Sequence, residues 1–291
     1  MSAAIHTNHS TNLNESVKYM KSFGFIGCGN MGGTLAKIAG LEAVRAGSTP
    51  YFADHDASKA KGITEQIGGG EVVSNTELAE KADFIVLGVK PQVIAGVAHE
   101  IAPVLGRRAA LGERFVIVTM AAGVAISAFS EHIGAEYPTI RIMPNTPAAL
   151  GHGVILYCSS FGVTEDEIGE FTSAMHGAGE LIECTEGQID AGSAISGCGP
   201  AYVYMFIEAL ADGGVKCGLP RAMAQKLAAD TLIGAAYMAL SDGRHPGELK
   251  DAVCSPGGST IAGVASLEED GFRSAAIRAV CAAYERTLEL G

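Results

Sequence analysis

The chain has 291 residues, 48% of them apolar, and a formal charge of −12. This length suits one large domain or two smaller ones, and the apolar share is ample for a packed interior. A negative surface of this size disfavours nucleic acids and anionic membranes as partners, because both bind basic patches. An anionic small substrate stays open, since backbone N–H groups alone can make a pocket locally positive.

The seven cysteines are odd in number, and none lies in a C-x-x-C pair. This pattern argues against a disulfide framework or a metal site and favours a reducing cytoplasm. The sequence lacks a run of about 18 uninterrupted apolar residues, so no membrane span is expected. Residues 1–21 are polar and are expected to form a disordered tail.

Strand-like and helix-like segments alternate from residue 22 to residue 184. Apolar runs predict strands at residues 23–26, 50–53, 72–73, 84–89, 115–119, 139–143, 154–157 and 181–183. Apolar spacing and turn signals predict helices at residues 31–46, 57–67, 75–79 and 92–105. This alternation predicts an α/β fold with a Rossmann-type, doubly wound and mainly parallel sheet.

After residue 184 the pattern becomes purely helical. Helices are predicted at residues 202–215, 221–240, 248–253, 260–269 and 272–290, separated by glycine and proline turns. We therefore expect a sheet domain over residues 22–184 and an all-α C-terminal domain over residues 185–291.

A G-x-G-x-x-G motif follows the first strand and opens the first helix. Its members and the residue before it are Ile26, Gly27, Cys28, Gly29, Asn30, Met31 and Gly32. In this context the first glycine makes a tight turn, the second admits a pyrophosphate, and the third brings helix and strand together. The helix N-terminus then supplies N–H donors to the phosphates. The motif predicts a dinucleotide site.

The second strand ends at Asp54, His55 and Asp56. An acid about 20 residues beyond the glycines can accept a hydrogen bond from the ribose 2′-hydroxyl of NADH and would repel the 2′-phosphate of NADPH. Alternatively, Asp54 and Asp56 only cap the next helix. Both interpretations stay open, so the sequence predicts NADPH or NADH as cofactor.

Later strand ends should line the same cofactor, because ligands of such sheets bind beyond the carboxyl ends of the strands. The residues concerned are Gly88, Val89, Lys90, Pro91, Ala121, Ala122 and Gly123. Lys90 could contact a phosphate or could be a solvated loop charge.

A second glycine-rich segment precedes a helix near the C-terminus. It consists of Ser255, Pro256, Gly257, Gly258, Ser259 and Thr260. Converging N–H groups, a helix dipole and two hydroxyls suit a carboxylate without any charged side chain. An ordinary capping loop is the alternative.

Together these blocks resemble the pyrroline-5-carboxylate reductase family. The most specific is residues 249–261, Leu-Lys-Asp-Ala-Val-Cys-Ser-Pro-Gly-Gly-Ser-Thr-Ile; residues 196–202, 211–219, 89–91 and 143–147 add further blocks. The resemblance covers residues 23 to about 290.

The resemblance implies NAD(P)H-dependent reduction of 1-pyrroline-5-carboxylate to L-proline, and a C-terminal domain that dimerises. It implies that residues 255–260 bind the substrate carboxylate and that Thr260 acts near the ring nitrogen as the catalytic residue. It also assigns Asn75 to the cofactor contacts. The chain departs from the family in three places. Cys198 replaces a frequent serine, Asp54 and His55 stand where some members carry polar or basic residues, and Gly243 replaces a glutamate found in some members.

The main rival is a β-hydroxyacid dehydrogenase, which needs a base such as lysine on the first interdomain helix. Residues 196–210 contain no lysine. A catalytically silent nucleotide sensor is a second rival, although it would not need the segment at residues 255–260.

Overall fold

The structure is a computed structural model that describes residues 21–290. The predicted tail at residues 1–20 lies outside the described residues. Lys21, which the sequence analysis assigned to that tail, is instead in place, with its ammonium 3.8 Å from the carboxylate of Glu167.

Eight strands form one sheet in the order β3-β2-β1-β4-β5-β6-β7-β8. Their bounds are Phe23–Ile26 (β1), Tyr51–Ala53 (β2), Glu71–Val72 (β3), Phe84–Leu87 (β4), Val116–Thr119 (β5), Thr139–Pro144 (β6), Gly153–Ser159 (β7) and Gly179–Glu183 (β8). All neighbours pair in parallel except β6 and β7. The predicted doubly wound, mainly parallel sheet is confirmed.

Six helices accompany the sheet, and six more follow it. The first group is Asn30–Arg45 (α1), Ala57–Ile67 (α2), Asn75–Lys81 (α3), Pro91–Ala110 (α4), Ile126–Ile133 (α5) and Glu165–Met175 (α6). The second group is Glu186–Ser196 (α7), Gly199–Lys216 (α8), Arg221–Asp242 (α9), Pro246–Ala252 (α10), Ser259–Glu269 (α11) and Phe272–Leu290 (α12). The predicted all-α C-terminal part is confirmed.

Helices α5, α6 and α7 were not predicted. The signal for α6 was nevertheless present, because Thr164 and Glu167 form a capping box at its start. The helix α4 also begins earlier than predicted. Pro91 is its first residue, a position at which the missing N–H costs nothing.

The sheet domain is packed on both faces. Every residue of β1 and of β4 is buried. Phe25 belongs to the cluster formed with α1, α2 and α6, whereas Ile85 belongs to the cluster formed with α3, α4 and α5. A strand that is covered on both faces has a continuous run of apolar residues in its sequence. This pattern made the positions of β1 and β4 predictable.

A buried arginine joins the sheet to the first of the later helices. Arg141 on β6 has a side chain that is 2% exposed, and its Nη2 lies 2.6 Å from Asp190 on α7. Its Nη1 lies 3.4 Å from Glu186, whose carboxylate also accepts a hydrogen bond from the N–H of Ile126. These two acids fix α7 against the sheet.

The helices beyond α7 bury little. Helix α9 packs against α8 and buries only Ala224 and Ala228, and α11 buries none of its residues. By length and composition alone, Glu186–Lys216 could cross a membrane. It is two helices, α7 and α8, with a break at residues 197–198, and α7 packs on the sheet.

Candidate active site

The chain changes direction across the sheet beside β1, and this creates a crevice. From β1 it moves outward to β3, then returns to β4 on the other side of β1. The carboxyl ends of β1 and β4 are therefore adjacent, and the N–H of Gly88 donates to the carbonyl of Ile26 over 2.8 Å. Ligands of this fold bind at such a point.

The glycine-rich turn has the geometry that a diphosphate requires. Gly27 has a φ of 95°, a conformation that side chains rarely adopt. A Cβ on Gly32 would collide with the carbonyl of Gly27, so the start of α1 and the end of β1 touch. A Cβ on Gly29 would meet nothing within 4 Å. The turn is thus packed on its inner side and open at its middle glycine.

The N-terminus of α1 is open as well. Its N-cap residue is Gly29, which makes no side-chain cap. The first N–H groups of a helix have no partner within the helix, so those of Asn30 and Met31 can donate to phosphate oxygens. Ile26 and Cys28 are buried beneath the turn. These residues fit a dinucleotide.

Burial dominates the chemistry of Cys28. It raises the pKa of the thiol to about 12, and the nearby charge of Asp54 adds to the shift. The thiol is therefore protonated at neutral pH, and Cys28 is a packing residue of the turn rather than a nucleophile.

The structure separates the roles of Asp54 and Asp56. Asp56 is the N-cap of α2 and accepts a hydrogen bond from the N–H of Ser58. Asp54 does not cap this helix. Its Oδ2 accepts from the N–H of Cys28 over 2.7 Å, which ties the end of β2 to the glycine turn. The capping interpretation is therefore wrong for Asp54 and right for Asp56.

Asn75 lies at the first position of α3 and does not cap this helix. Ser74 caps this helix through a capping box with Glu77. The amide of Asn75 donates to Glu100 on α4, with Nδ2 and Oε2 2.7 Å apart. The cofactor contact that the family resemblance implies for Asn75 would compete with this bond.

The other strand ends lie where they were expected. Val89 follows β4, Lys90 is the N-cap of α4, and Lys90 has no carboxylate within 4 Å among residues 21–290. Ala121 is buried just beyond β5, and Gly123 has a φ of 74° in the turn that follows. All of these residues follow the carboxyl ends of β4 and β5.

The second glycine-rich segment forms an uncapped helix start. Helix α11 begins at Ser259, and its N-cap Gly258 makes no side-chain bond. Gly257 has a φ of 66°, and Gly258 donates to the carbonyl of Ser255 over 3.0 Å. Thr260 is the second residue of the helix, so it does not cap it. The N–H groups at this end are available to an anion.

His245 is a capping residue. Its Nδ1 accepts a hydrogen bond from the N–H of Gly247 at the start of α10, over 3.0 Å. The residues that the sequence analysis missed are Arg141, Glu186 and Asp190. They orient α7 but belong to neither glycine-rich segment.

Fold and site together define a class of protein, a nicotinamide-dinucleotide oxidoreductase with a helical dimerisation domain. Residues 22–123 match the family of NADP oxidoreductases that are coenzyme F420-dependent, and residues 186–290 match the pyrroline-5-carboxylate reductase dimerisation domain. The second match begins at the first residue of α7.

Relatives over nearly the whole chain identify the family. A pyrroline-5-carboxylate reductase from Pisum sativum is 40% identical over 92% of this chain and 96% of its own length, and that from Escherichia coli is 38% identical over 93% and 98%. The chain belongs to the pyrroline-5-carboxylate reductase family.

Solved structures agree in fold. The Plasmodium falciparum pyrroline carboxylate reductase, with NADP bound, has a TM-score of 0.80 and 32% identity, covering 94% of this chain and 99% of its own. A pyrroline-5-carboxylate reductase from Coxiella burnetii has a TM-score of 0.83 and 30% identity, covering 94% and 99%.

Proposed function

We propose that this protein reduces 1-pyrroline-5-carboxylate to L-proline with NAD(P)H, the last step of proline biosynthesis. The observation that carries the proposal is the presence of two uncapped, glycine-rich helix starts, one before α1 and one before α11. The first suits the diphosphate of a dinucleotide, and the second suits a carboxylate.

The reaction needs little acid–base machinery from the protein. Bound NAD(P)H supplies a hydride to the carbon of the substrate C=N bond, and the ring nitrogen takes its proton from solvent. The protein then contributes orientation and electrostatic placement. This agrees with the neutral Cys28 thiol.

Substrate binding is assigned to residues 255–260. The N–H groups of Ser259 and Thr260 bind the carboxylate, and the hydroxyl of Thr260 orients the ring nitrogen or a bound water. Because Gly258 is the N-cap, the Thr260 hydroxyl is not needed for capping. This supports a chemical role for Thr260.

Cofactor binding is assigned to residues 26–32, to Asp54 and His55, and to the ends of β4 and β5. The latter comprise Gly88, Val89, Lys90, Pro91, Ala121, Ala122 and Gly123. Asn75 also contacts the cofactor in this proposal, which requires its side-chain amide to break the hydrogen bond to Glu100.

A second copy of the chain completes the helical domain in this proposal. Its support is the exposed apolar surface of α8, α9 and α12 and the match to a dimerisation domain. We place the domain boundary between β8 and α7, near residue 184. The cysteine pattern supports a cytoplasmic location.

The function is tested by incubating the purified protein with pyrroline-5-carboxylate and either NADH or NADPH. Loss of coenzyme absorbance should match the proline formed, one for one. A β-hydroxyacid in place of the imine, with the oxidised coenzyme, should give no turnover. Turnover of the hydroxyacid without turnover of the imine would contradict the proposal.

A further inference from the structure

Two helices, α1 and α2, begin beside the glycine turn. They differ in whether a side chain accepts hydrogen bonds from the N–H groups of the first turn. Helix α1 has no side-chain cap, whereas α2 is closed by Asp56. The Oδ1 of Asp56 accepts hydrogen bonds from the N–H of Ser58 over 3.1 Å and from its hydroxyl over 2.6 Å. These are donors that an incoming phosphate would otherwise use.

Hydrogen bonds from Ser58 make the anionic form of Asp56 the favoured one. They lower the pKa of this carboxyl, with a smaller contribution from the charge of Lys59. A negative charge at a helix N-terminus is stabilising. The chain thus places its own anion at the first turn of α2.

Asp54 adds a second, better shielded negative charge. Its side chain is 4% exposed, its Oδ2 accepts from Cys28, and its Oδ1 accepts from the N–H of Asp56 over 2.9 Å. The adenosine ribose of a dinucleotide lies between the glycine turn and the end of the second strand in this fold. A buried charge next to that position is screened less than an exposed one.

Positive side chains near this position are all at the surface. Lys37 and Lys59 line a groove of ≈ 570 Å³ between α1 and α2, together with Ser58. His55 is 88% exposed, and its Nδ1 lies 3.0 Å from Oδ1 of Asp54. Their charges are screened by water and salt, so they offset the two aspartates only in part.

We propose that Asp54 and Asp56 together make this chain select NADH over NADPH. Asp54 fixes the glycine turn through Cys28 and accepts a hydrogen bond from the ribose 2′-hydroxyl once the exposed His55 moves aside. Asp56 occupies with its carboxylate the helix start that a 2′-phosphate needs. The assignment rests on the proposed dinucleotide site.

Binding is measured by isothermal titration calorimetry on the full-length protein, without substrate. NADH should bind at least about tenfold more tightly than NADPH, the scale of a charged hydrogen bond. Adenosine 5′-monophosphate and adenosine 2′,5′-bisphosphate isolate the ribose position. The monophosphate should bind more tightly by a similar factor.

Two variants remove one charge each. Asp56→Asn keeps the single oxygen that accepts from Ser58, whereas Asp54→Asn keeps only one of the two acceptors that bond Cys28 and the N–H of residue 56. Asp56→Asn retains a good N-cap, so α2 should stay intact while the Kd for NADPH falls about threefold or more. Asp54→Asn should also bring the two Kd values closer, by weakening NADH and strengthening NADPH. Glu65→Gln, an exposed acid on the same helix that pairs with Lys61, is the matched control and should leave both values unchanged.

The results separate this assignment from the proposed function. Equal or tighter binding of NADPH by the unaltered protein overturns the assignment, and so does an unchanged ratio in both aspartate variants. Failure of both coenzymes to bind would contradict the dinucleotide site itself.

Discussion

The sheet domain and the helices beyond α7 use apolar residues in opposite ways. In the sheet domain they are inside, and β1, β4, β5 and β6 are buried throughout. In the helical region they are outside, with Met205 on α8 70% exposed and Tyr204, Ile233 and Ile277 more than half exposed. Exposed apolar residues in this number indicate an interaction surface. The sheet domain forms its core within one chain, whereas the helical region leaves most of its apolar side chains uncovered.

The two glycine-rich segments differ in the same way, one being packed within the chain and the other exposed. The turn at residues 27–32 is packed against β4 and held by Asp54. The segment at residues 255–260 is almost entirely exposed in the single chain. The proposed coenzyme side of the site is therefore packed within one chain, whereas the proposed substrate side is open to solvent in it.

The largest expected effect separates coenzyme binding from folding. Gly29→Val should abolish dinucleotide binding and keep the fold, because the new side chain enters the open space of the turn. Gly96→Val is the control, since a Cβ on this exposed residue of α4 also meets nothing within 4 Å. Calorimetric binding of NADH checks both. Normal affinity in Gly29→Val would remove the dinucleotide site from this turn.

The next effect tests the interface. Ile233→Asp on α9 should dissociate the dimer, because an unpaired buried carboxylate costs several kcal/mol, on the order of a hundredfold in Kd. Leu111→Asp, an exposed position at the end of α4, should change nothing. Sedimentation velocity distinguishes the species. A dimeric Ile233→Asp variant would place the interface elsewhere.

Thr260 tests the substrate side alone. Thr260→Ala should lower kcat/KM for the imine about tenfold or more, since a lost hydrogen bond also loosens alignment. Thr260→Ser should restore most of the rate, and coenzyme affinity should stay normal in both. A lower Tm with normal turnover would make Thr260 merely structural.

The last effect concerns stability within the sheet domain and neither binding nor turnover. Burial by itself raises the pKa of Glu167, but hydrogen bonds from Arg114 and Thr164 outweigh it and lower the pKa from 4.5 to about 2. The stabilisation is complete above about pH 4.5 and disappears as the pH falls towards 2. Because Arg114 is half exposed, we expect about 1–3 kcal/mol.

Glu167→Gln should therefore be less stable than the unaltered protein at pH 7, with a difference that shrinks between pH 4.5 and 2. Urea unfolding across this range measures it. Glu42→Gln, which breaks an exposed pair with Arg45, should have little effect at any pH. A pH-independent difference for Glu167→Gln would contradict the linkage.

Much of the sheet could be predicted from the sequence because its signals are local. Phe84–Leu87 is a continuous apolar run, and the glycine motif follows a strand and opens a helix. Helices α5, α6 and α7 were not predicted because they are short, at 8 to 11 residues, and α5 has no side-chain cap to mark its start.

The parts that could not be predicted depend on contacts between distant residues. Cys28 and Asp54 are 26 positions apart, and sequence alone left Asp54 between ribose binding and capping. Arg141 and Asp190 are 49 positions apart, and nothing local marks them as partners. Spatial pairing decides such roles, and the chain's own order does not reveal it.

The central claim is that the helical region becomes a complete core only with a second copy. The most direct test is the mass of the active protein in solution, measured by light scattering at micromolar concentration alongside turnover of pyrroline-5-carboxylate. The account predicts a dimer or a larger multiple of it, with activity that falls when dilution produces monomers. A fully active monomer would contradict it.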